Sequence, residues 1–455
     1  MKTMKRILAK DTVSHVGEEA LVKGWVHARR DHGKLIFIDL RDRSGILQIV
    51  FNPTVSAQAH QIATTFRPEF ALIVTGTINK RPDRLVNPKI VSGSVELEAK
   101  EVEIIAEAKT LPFDMGGESL HVELPTLLNH RSLTLKHERI QKIFIIQAAI
   151  AEAFRSAAKK LDCVEIFVPT ITAAATEGGA DVFPVDYYGH HAFLTQSPQL
   201  YKQIMVGVFE RVYTIAKAYR AEPSVTTRHL SEATQMDIEM GFIDSFDELL
   251  DALEFVGVSM VGSVSNNYKE IFTQFDVEIP LISKKVPRLT LREAQEIITK
   301  RTGRDLSKEL DLNPEDEREL SLWANEEHQS DFVTVTHFPT KKRAFYTMPD
   351  PKNPEYSLSY DLLFKGLEIL SGSQRIHKYE MLIAAMKERG LDPRNFGMYL
   401  MAFQYGMPPE GGFSFGLERL TMKLLNLANV REASLFPRDM ERVDERFSEH
   451  KESPI

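Results

Sequence analysis

RVYTIAKAYRAEPSVTTRHLSEATQMDIEMGF, residues Arg211–Phe242, decides how the rest of the chain is read. β-Branched and apolar residues lead into Tyr219-Arg220, and Thr234–Met240 alternates polar with apolar, so both ends are expected to be strands. The loop between them, with Pro223, Ser224 and Thr226-Thr227, is too long for a tight hairpin turn. Alternation sets Gln235, Asp237 and Glu239 on one face and Met236, Ile238 and Met240 on the other. Aliphatic and thioether groups beneath, with acceptors above, make a polar floor. Arg220, Glu222, Arg228 and His229 join it from the first strand's end and the loop. Cations and carboxylates side by side suit an anionic ligand bound with a metal; a hairpin with a solvated, charge-paired face is the alternative.

Around this stretch the chain has 455 residues, enough for two or three domains. It is 43% hydrophobic and 26% charged, as expected of a soluble globular protein. A net charge of -8 argues against binding nucleic acid through bulk positive potential, but leaves room for a local basic face. A single cysteine, Cys163, excludes an intrachain disulfide framework and a thiolate zinc cluster and fits a reducing cytosol. No apolar run follows the basic MKTMKR start, and no segment is apolar enough to span a membrane.

Upstream, LVKGWVHARR, KLIFIDLRD and GILQIVFNP are separated by turn signals and followed by strand-like runs at Phe70–Ile78 and Val95–Ile105. Short strands at this spacing predict a small closed β-barrel. Arg29, Arg30 and His32 with Phe37 and Gln48 could grip single-stranded nucleic acid, cations on phosphates, ring on a base, amide on a base edge. Without further context the plainer reading comes first: Phe37 as core and the arginines solvated or paired to Asp39 and Asp42. Between Lys109 and His130 periodicity stops, with Pro112, Pro125 and Gly116-Gly117 reading as a hinge.

Downstream, His137–Lys160 reads as a helix, Val164–Thr170 as a strand ending near Pro169, and Phe246–Ser263 as a helix. Thr176–Ala180 reads as a Gly-rich lid carrying Glu177, or as a plain turn. Pro198 suits a helix start that would put Gln199 and Lys202 on one face. Residues 266–330 carry few special signals and read as a peripheral insertion. Ser359–His377 reads as one strand holding Asp361 and Glu368, a Ser371-Gly372-Ser373 turn, then Gln374-Arg375, with Gly366 hosting a bulge that aligns the two carboxylates. Glu368 and nearby hydroxyls make a hard-oxygen site for magnesium, and Arg375 can fork onto a carboxylate. In GGFSFGLERLTMKLL a Gly-rich strand enters a helix whose Leu417, Leu420, Leu424 and Leu425 face the core, with Arg419 at its start.

Arg220-Ala221-Glu222 with Arg228-His229, and Gly416-Leu417-Glu418-Arg419, resemble motifs 2 and 3 of the class II aminoacyl-tRNA synthetases; Pro169 after the long helix resembles motif 1, which builds the dimer interface in that class. QSPQLYK, SGSQRIH and the barrel run GWVHARRDHGKLIFIDLRDRSGILQIV are similar to the aspartyl-tRNA synthetases, and the likeness covers nearly the whole chain. The length resembles the archaeal and eukaryotic form without the large bacterial insertion, while the barrel's opening strands look more like the bacterial form. The resemblance implies an α+β protein: an OB-fold anticodon-binding barrel over 1–107, a hinge over 108–132, and a class II catalytic domain over 133–455 with an antiparallel sheet flanked by helices.

It also implies roles. Arg220 would touch the ATP α-phosphate and the amino acid carboxylate, and Arg419 the far phosphates. Glu222, Arg228 and His229, with Ala221, Leu230, Gly416, Leu417 and Glu418 beside them, would hold ATP. Glu368 would bind Mg2+ with Ser371 beside it. Glu177, Gln199 and Asp237 would receive the ammonium of L-aspartate; Lys202 and Arg375 would bind its side-chain carboxylate, which needs paired cations when buried. Asparaginyl relatives lack a lysine matching Lys202 and differ after the arginine, where this chain has Ile376-His377. In the barrel, Phe37 would stack on an anticodon base, with Arg30, Gln48 and Glu96 reading edges. The implied partners are tRNA(Asp), ATP and L-aspartate in a cytoplasmic homodimer without membrane contact. Charging of tRNA(Asn) as well stays open, since the sequence around His27 and Pro82 is compatible with relaxed reading. The motif 2 loop, Glu222-Pro223-Ser224-Val225, departs from the usual second acid and His-Asn pair, which bears on contacts to the tRNA acceptor end. A non-catalytic paralogue, a lone nucleic-acid-binding barrel and an aspartate-amidating enzyme are the competing readings.

Overall fold

A computed structural model of the chain describes residues 4–173, 182–223 and 226–447. Two compact units divide it, Met1–His121 and Val122–Ile455. In the first, β1 (Glu19–His32), β2 (Leu35–Asp42), β3 (Gly45–Phe51), β4 (Ala71–Lys80) and β5 (Val95–Ala106) close a barrel in the order β1-β2-β3-β5-β4. Strict alternation drives it: Ile36, Ile38 and Leu40 fill the interior with Ile49, Val74 and Leu97, while Phe37, Asp39 and Arg41 face outward. Gly24 and Gly76 sit where an added Cβ would strike the backbone carbonyls of Arg41 and Glu98 across the ladder.

In the second unit the short strands β6 (Val164–Glu165), β7 (Ile171–Thr172), β8 (Pro184–Tyr187) and β9 (His190–Leu194) precede β10 (Arg211–Tyr219) and β11 (Glu232–Gly241). Then come β12 (Arg288–Thr290), β13 (Phe332–Thr336), β14 (Ser359–Phe364), β15 (Leu367–Gln374) and β16 (Glu410–Gly416). An 8-stranded sheet runs β12-β13-β14-β15-β16-β11-β10-β6, antiparallel except at its two ends. Its underside carries Met236, Ile238, Met240, Leu362, Phe413 and Phe415 against helices Glu138–Lys160 and Phe246–Asn267. The first of these helices contributes Ile143, Ile150 and Phe154 at three- and four-residue steps, as the sequence pattern requires. The other face, lined by polar residues, is where the site forms.

Local expectations change in four places. The strand expected over Val164–Thr170 shortens to β6, because Pro169 withholds an N–H and Phe167 stands 89% exposed. The hinge over 108–132 includes a short helix, Leu124–Asn129. Residues 266–330 hold well-capped helices, Leu291–Thr302 and Pro314–His328, each opened by a capping box. Ser359–Gln374 is a hairpin rather than one strand. Lys365 and Gly366 turn it with φ of 46° and 77°, and Ser371-Gly372-Ser373 lies within β15 instead of turning. No helix among the described residues is long and apolar enough to cross a membrane.

Candidate active site

The floor is set by register. Asp237 lies opposite Ser414 and Glu239 opposite Gly412, while Ser371 and Ser373 continue the same face on β15. A Cβ at Gly412 would collide with the Glu239 carboxylate and the Ile238 carbonyl, so only glycine lets that carboxylate lie across the neighbouring strand. Lys202, in the helix Gln199–Phe209, is 2% exposed and donates to Asp237 Oδ1 at 2.8 Å; its Nζ is 3.0 Å from Glu239 Oε2. Arg375 Nε donates to Glu239 Oε1 at 2.7 Å, its Nη1 to Ser373 Oγ at 2.6 Å and its Nη2 to the Gly412 carbonyl at 2.9 Å. Glu239 therefore bridges both buried cations. Burial alone would raise its carboxyl, but Arg375 and Lys202 pull it below the ordinary range. Asp237 goes the other way: burial outweighs Lys202 and raises it. Against the described residues these bonds leave an N–H on Lys202 and on Arg375 for a further acceptor.

This charged end belongs to a cavity of about 330 Å³ whose lining also takes in Arg220, Arg228, Arg343 and Arg419. Arg220 and Glu222 leave β10 and lie 3.8 Å apart; Arg228 and His229 approach on the way into β11. Burial and then Arg419 lower the His229 imidazole below its ordinary range. Arg419, at the start of the helix Leu417–Leu424, donates to the Glu368 carbonyl at 3.3 Å, with its carboxylate 3.7 Å away. Glu418 accepts from the Thr234 N–H at 2.9 Å, tying that helix to β11. Leu230 and Gly416 line the wall. Leu417 does not: the helix period that exposes Arg419 turns Leu417 into the core with Leu420 and Leu424. Ala221 also lies outside the lining. Glu177 lies outside the described residues.

The hairpin β14–β15 brings Asp361 opposite Ser371 and Leu363 opposite Glu368, the extra residue on β15 forming a bulge. That irregularity, one turn of the ladder from Gly366, puts Asp361, Glu368 and Ser371 on one face. Burial, with Asp361 next, raises the Glu368 carboxyl to about 7. Asp361 takes Arg343 Nη2 at 2.7 Å through Oδ2 while its buried Oδ1 has no hydrogen-bond partner. Among the described residues no group of three or more acidic, His or Cys side chains surrounds a point. A carboxylate pair with an open oxygen and a hydroxyl still fits a hard cation that keeps waters and phosphate oxygens as its other ligands.

On the outside of the barrel, register sets Arg30 opposite Phe37 and Asp39 opposite Gln48. Phe37 is half-exposed with His32 edge-on at 5.5 Å, so it is not core. Arg30 forks onto Asp39 at 2.6 and 2.7 Å, and Gln48 donates to Glu96 at 2.8 Å with Arg81 3.8 Å from the same carboxylate. A ring, an amide and cations thus share one face.

Two residues belong with the site that sequence reasoning did not assign to it, and a third, Glu239, is placed on the floor by the sequence pattern without a role. Glu239 was legible as an acceptor on the floor, its neighbours' alternation being the signal. Glu317, from the segment read as peripheral, grips Arg228 through both oxygens at 3.0 Å and accepts the Glu368 N–H at 3.1 Å. Arg343 holds Asp361 and packs over Phe338 at 3.9 Å.

Residues 123–440 match the family of tRNA synthetases class II (D, K and N), and residues 20–105 match the OB-fold nucleic acid binding domain. An aspartate--tRNA(Asp/Asn) ligase of Thermus thermophilus is 42% identical over 96% of this chain and 99% of its own length. An aspartate--tRNA(Asp) ligase of Pyrococcus abyssi is 38% identical over 94% of this chain and 96% of its own. Among solved structures, asparaginyl-tRNA synthetase from Pyrococcus horikoshii with asparaginyl-adenylate superposes with a TM-score of 0.88 at 28% identity, covering 96% of this chain and 99% of that one.

Proposed function

The chain belongs to the class II tRNA synthetases of the D, K and N group, and from that premise we propose that it activates L-aspartate with ATP and transfers it to tRNA. One observation carries the choice of amino acid: Lys202 and Arg375, both buried, converge beside Glu239 with an N–H each to offer. A buried side-chain carboxylate needs such donors, and an amide does not need two cations. Asp237 and Gln199, on the same floor, are the acceptors for the ammonium end.

In the first step an α-carboxylate oxygen of aspartate attacks the ATP α-phosphorus in line. The new acyl O–P bond forms as the bond to the bridging oxygen breaks and pyrophosphate leaves with the electron pair. Arg220 pairs the carboxylate and α-phosphate; Arg228, His229 and Arg419 hold the base and outer phosphates. Alignment and charge stabilisation are the protein's whole contribution. Glu368, Asp361 and Ser371 would hold Mg2+, which supplies positive charge to phosphate oxygens when bound. In the second step the 3′-OH of the terminal ribose attacks the acyl carbon and AMP leaves.

The barrel face reads the anticodon, Phe37 stacking and Arg30, Gln48 and Glu96 meeting base edges. A homodimer is supported by the exposed apolar residues that flank Pro169: Val164 on the edge strand β6, Phe167 in the connection, and Ile171 on β7, the edge of the separate sheet β7-β9-β8. A cytoplasmic setting accords with the lone thiol, Cys163. Whether tRNA(Asn) is a second acceptor divides the named relatives themselves. Aspartate-dependent ATP–pyrophosphate exchange tests the activation step, and charging of purified tRNA(Asp) and tRNA(Asn) tests breadth. Exchange indifferent to aspartate would end the reading.

A further inference from the structure

Behind the charged end of the site lies a carboxylate that the mechanism does not use. Glu410, the first residue of β16, stands opposite Gly241 on the same face as Asp237, Glu239 and Ser414 and is fully buried. Its Oε1 accepts from Gln203 Nε2 at 2.9 Å; its Oε2 has no hydrogen-bond partner. Gln203, equally buried, turns its own oxygen to Gln199 Nε2 at 2.9 Å and to the Tyr399 hydroxyl at 3.1 Å. Gln199 in turn faces Arg375 Nη2 with its oxygen, at 3.4 Å.

An amide presents an acceptor at one end and a donor at the other, and nothing in its shape says which way round it should sit. This chain of groups ends in a donor-only cation at Arg375 and in an accepting oxygen at Glu410, so its direction is held from both ends. With that acceptor in place, Gln203 must point its NH2 inward and its oxygen outward, Gln199 must follow, and Arg375 meets an acceptor instead of a second donor. We infer that Glu410 is a positioning residue for the acidic-side-chain pocket, orienting Gln199 and Arg375 through Gln203. The inference rests on the aspartate reading of the site. Burial, with the Glu239 charge next, raises the Glu410 carboxyl well above its ordinary range.

The test is steady-state exchange on the full chain with Glu410→Gln and Glu410→Leu. The amide variant keeps an accepting side-chain oxygen for Gln203 and is expected to hold the aspartate KM near wild type. The leucine variant releases the relay and is expected to raise the aspartate KM about tenfold while the ATP KM stays put. Gln203→Met, which cuts the relay one residue nearer the site, carries the same expectation should Glu410→Leu fail to fold. An unchanged aspartate KM in a folded relay-breaking variant, ATP and aspartate KM rising together, or Glu410→Gln as impaired as Glu410→Leu would overturn the inference. Wild-type protein without aspartate-dependent exchange would instead overturn the aspartate reading, and the relay with it.

Discussion

Replacing Lys202 by methionine keeps the length and apolar stem of the side chain and removes only the ammonium. Glu239 retains Arg375 at 2.7 Å, but Asp237, 1% exposed, is left with Ser414 Oγ at 3.1 Å. An uncompensated buried charge costs about 3–5 kcal/mol. Asp237 can escape part of that by taking up a proton, towards which burial already inclines it, so a loss of roughly 2–4 kcal/mol of stability is expected. The sign of the pH dependence follows. A carboxyl raised in the folded state binds its proton more tightly there than when unfolded, so the variant's deficit grows as pH climbs above the ordinary carboxylate range and shrinks as it falls. On binding, one charge-assisted bond to the aspartate side chain disappears, worth about 2–4 kcal/mol, or roughly 30- to 900-fold in the aspartate KM. ATP–pyrophosphate exchange, titrated separately in aspartate and ATP, reads this directly, with chemical denaturation at two pH values reading the stability. An aspartate KM within about fivefold of wild type in a folded variant would refute the assignment of Lys202 to the substrate carboxylate.

Gly412→Ala drives a methyl into the Glu239 carboxylate and the Ile238 carbonyl; a loss of at least about 2 kcal/mol in stability and near-complete loss of exchange activity are expected. Glu317→Gln removes the fork that holds Arg228, so the ATP KM should rise roughly three- to tenfold while the aspartate KM stays unchanged. Phe37→Ala should raise the KM for tRNA by about tenfold or more, the worth of one stacked base, and leave tRNA-independent exchange intact. Burial pushes the Cys163 thiol up to about 12, so native protein near pH 8 should resist iodoacetamide, with roughly one thiol in ten thousand ionised, and peptide mass spectrometry should find the cysteine unmodified until denaturant is added.

What was legible in the sequence is what one short period carries. The alternation in Thr234–Met240 placed Asp237 and Glu239 on a common face, and the helical spacing from Pro198 placed Gln199 and Lys202 there too; both are local patterns with a physical cause. The hairpin β14–β15 was hidden because both arms are apolar and buried, and its turn is only Lys365-Gly366, so the run reads as continuous. A bulge was needed to align Asp361 with Glu368 and does form, but from the register of two strands rather than at the glycine. Glu317 and Arg343 were missed for another reason. Each acts on a residue far away in sequence, and only tertiary packing brings the pairs together. The capping box at Asn313, not read from the sequence, opens the helix that carries Glu317 four residues on; such a signal locates the element but not its target.

The structural likeness to an asparaginyl enzyme, at a TM-score of 0.88, shows how little the fold says about the amino acid. On the proposed reading, the decision therefore rests in a few side chains at the floor. An asparagine side chain presents a donor and an acceptor; a pocket whose free groups are N–H bonds of Lys202 and Arg375 satisfies only the acceptor and leaves the amide NH2 facing cations. The resulting discrimination is asymmetric, since an unpaired buried donor costs more than a missing contact. Glu239 limits it. By bridging both cations it already neutralises part of their charge, so the pocket has to be tuned between holding its own carboxylate and yielding to the ligand's. Glu239→Gln should therefore strengthen the electrostatic pull on aspartate while loosening the two cations it aligns. If alignment dominates, the aspartate KM rises; a fall would mean that net charge, not geometry, sets recognition at this floor.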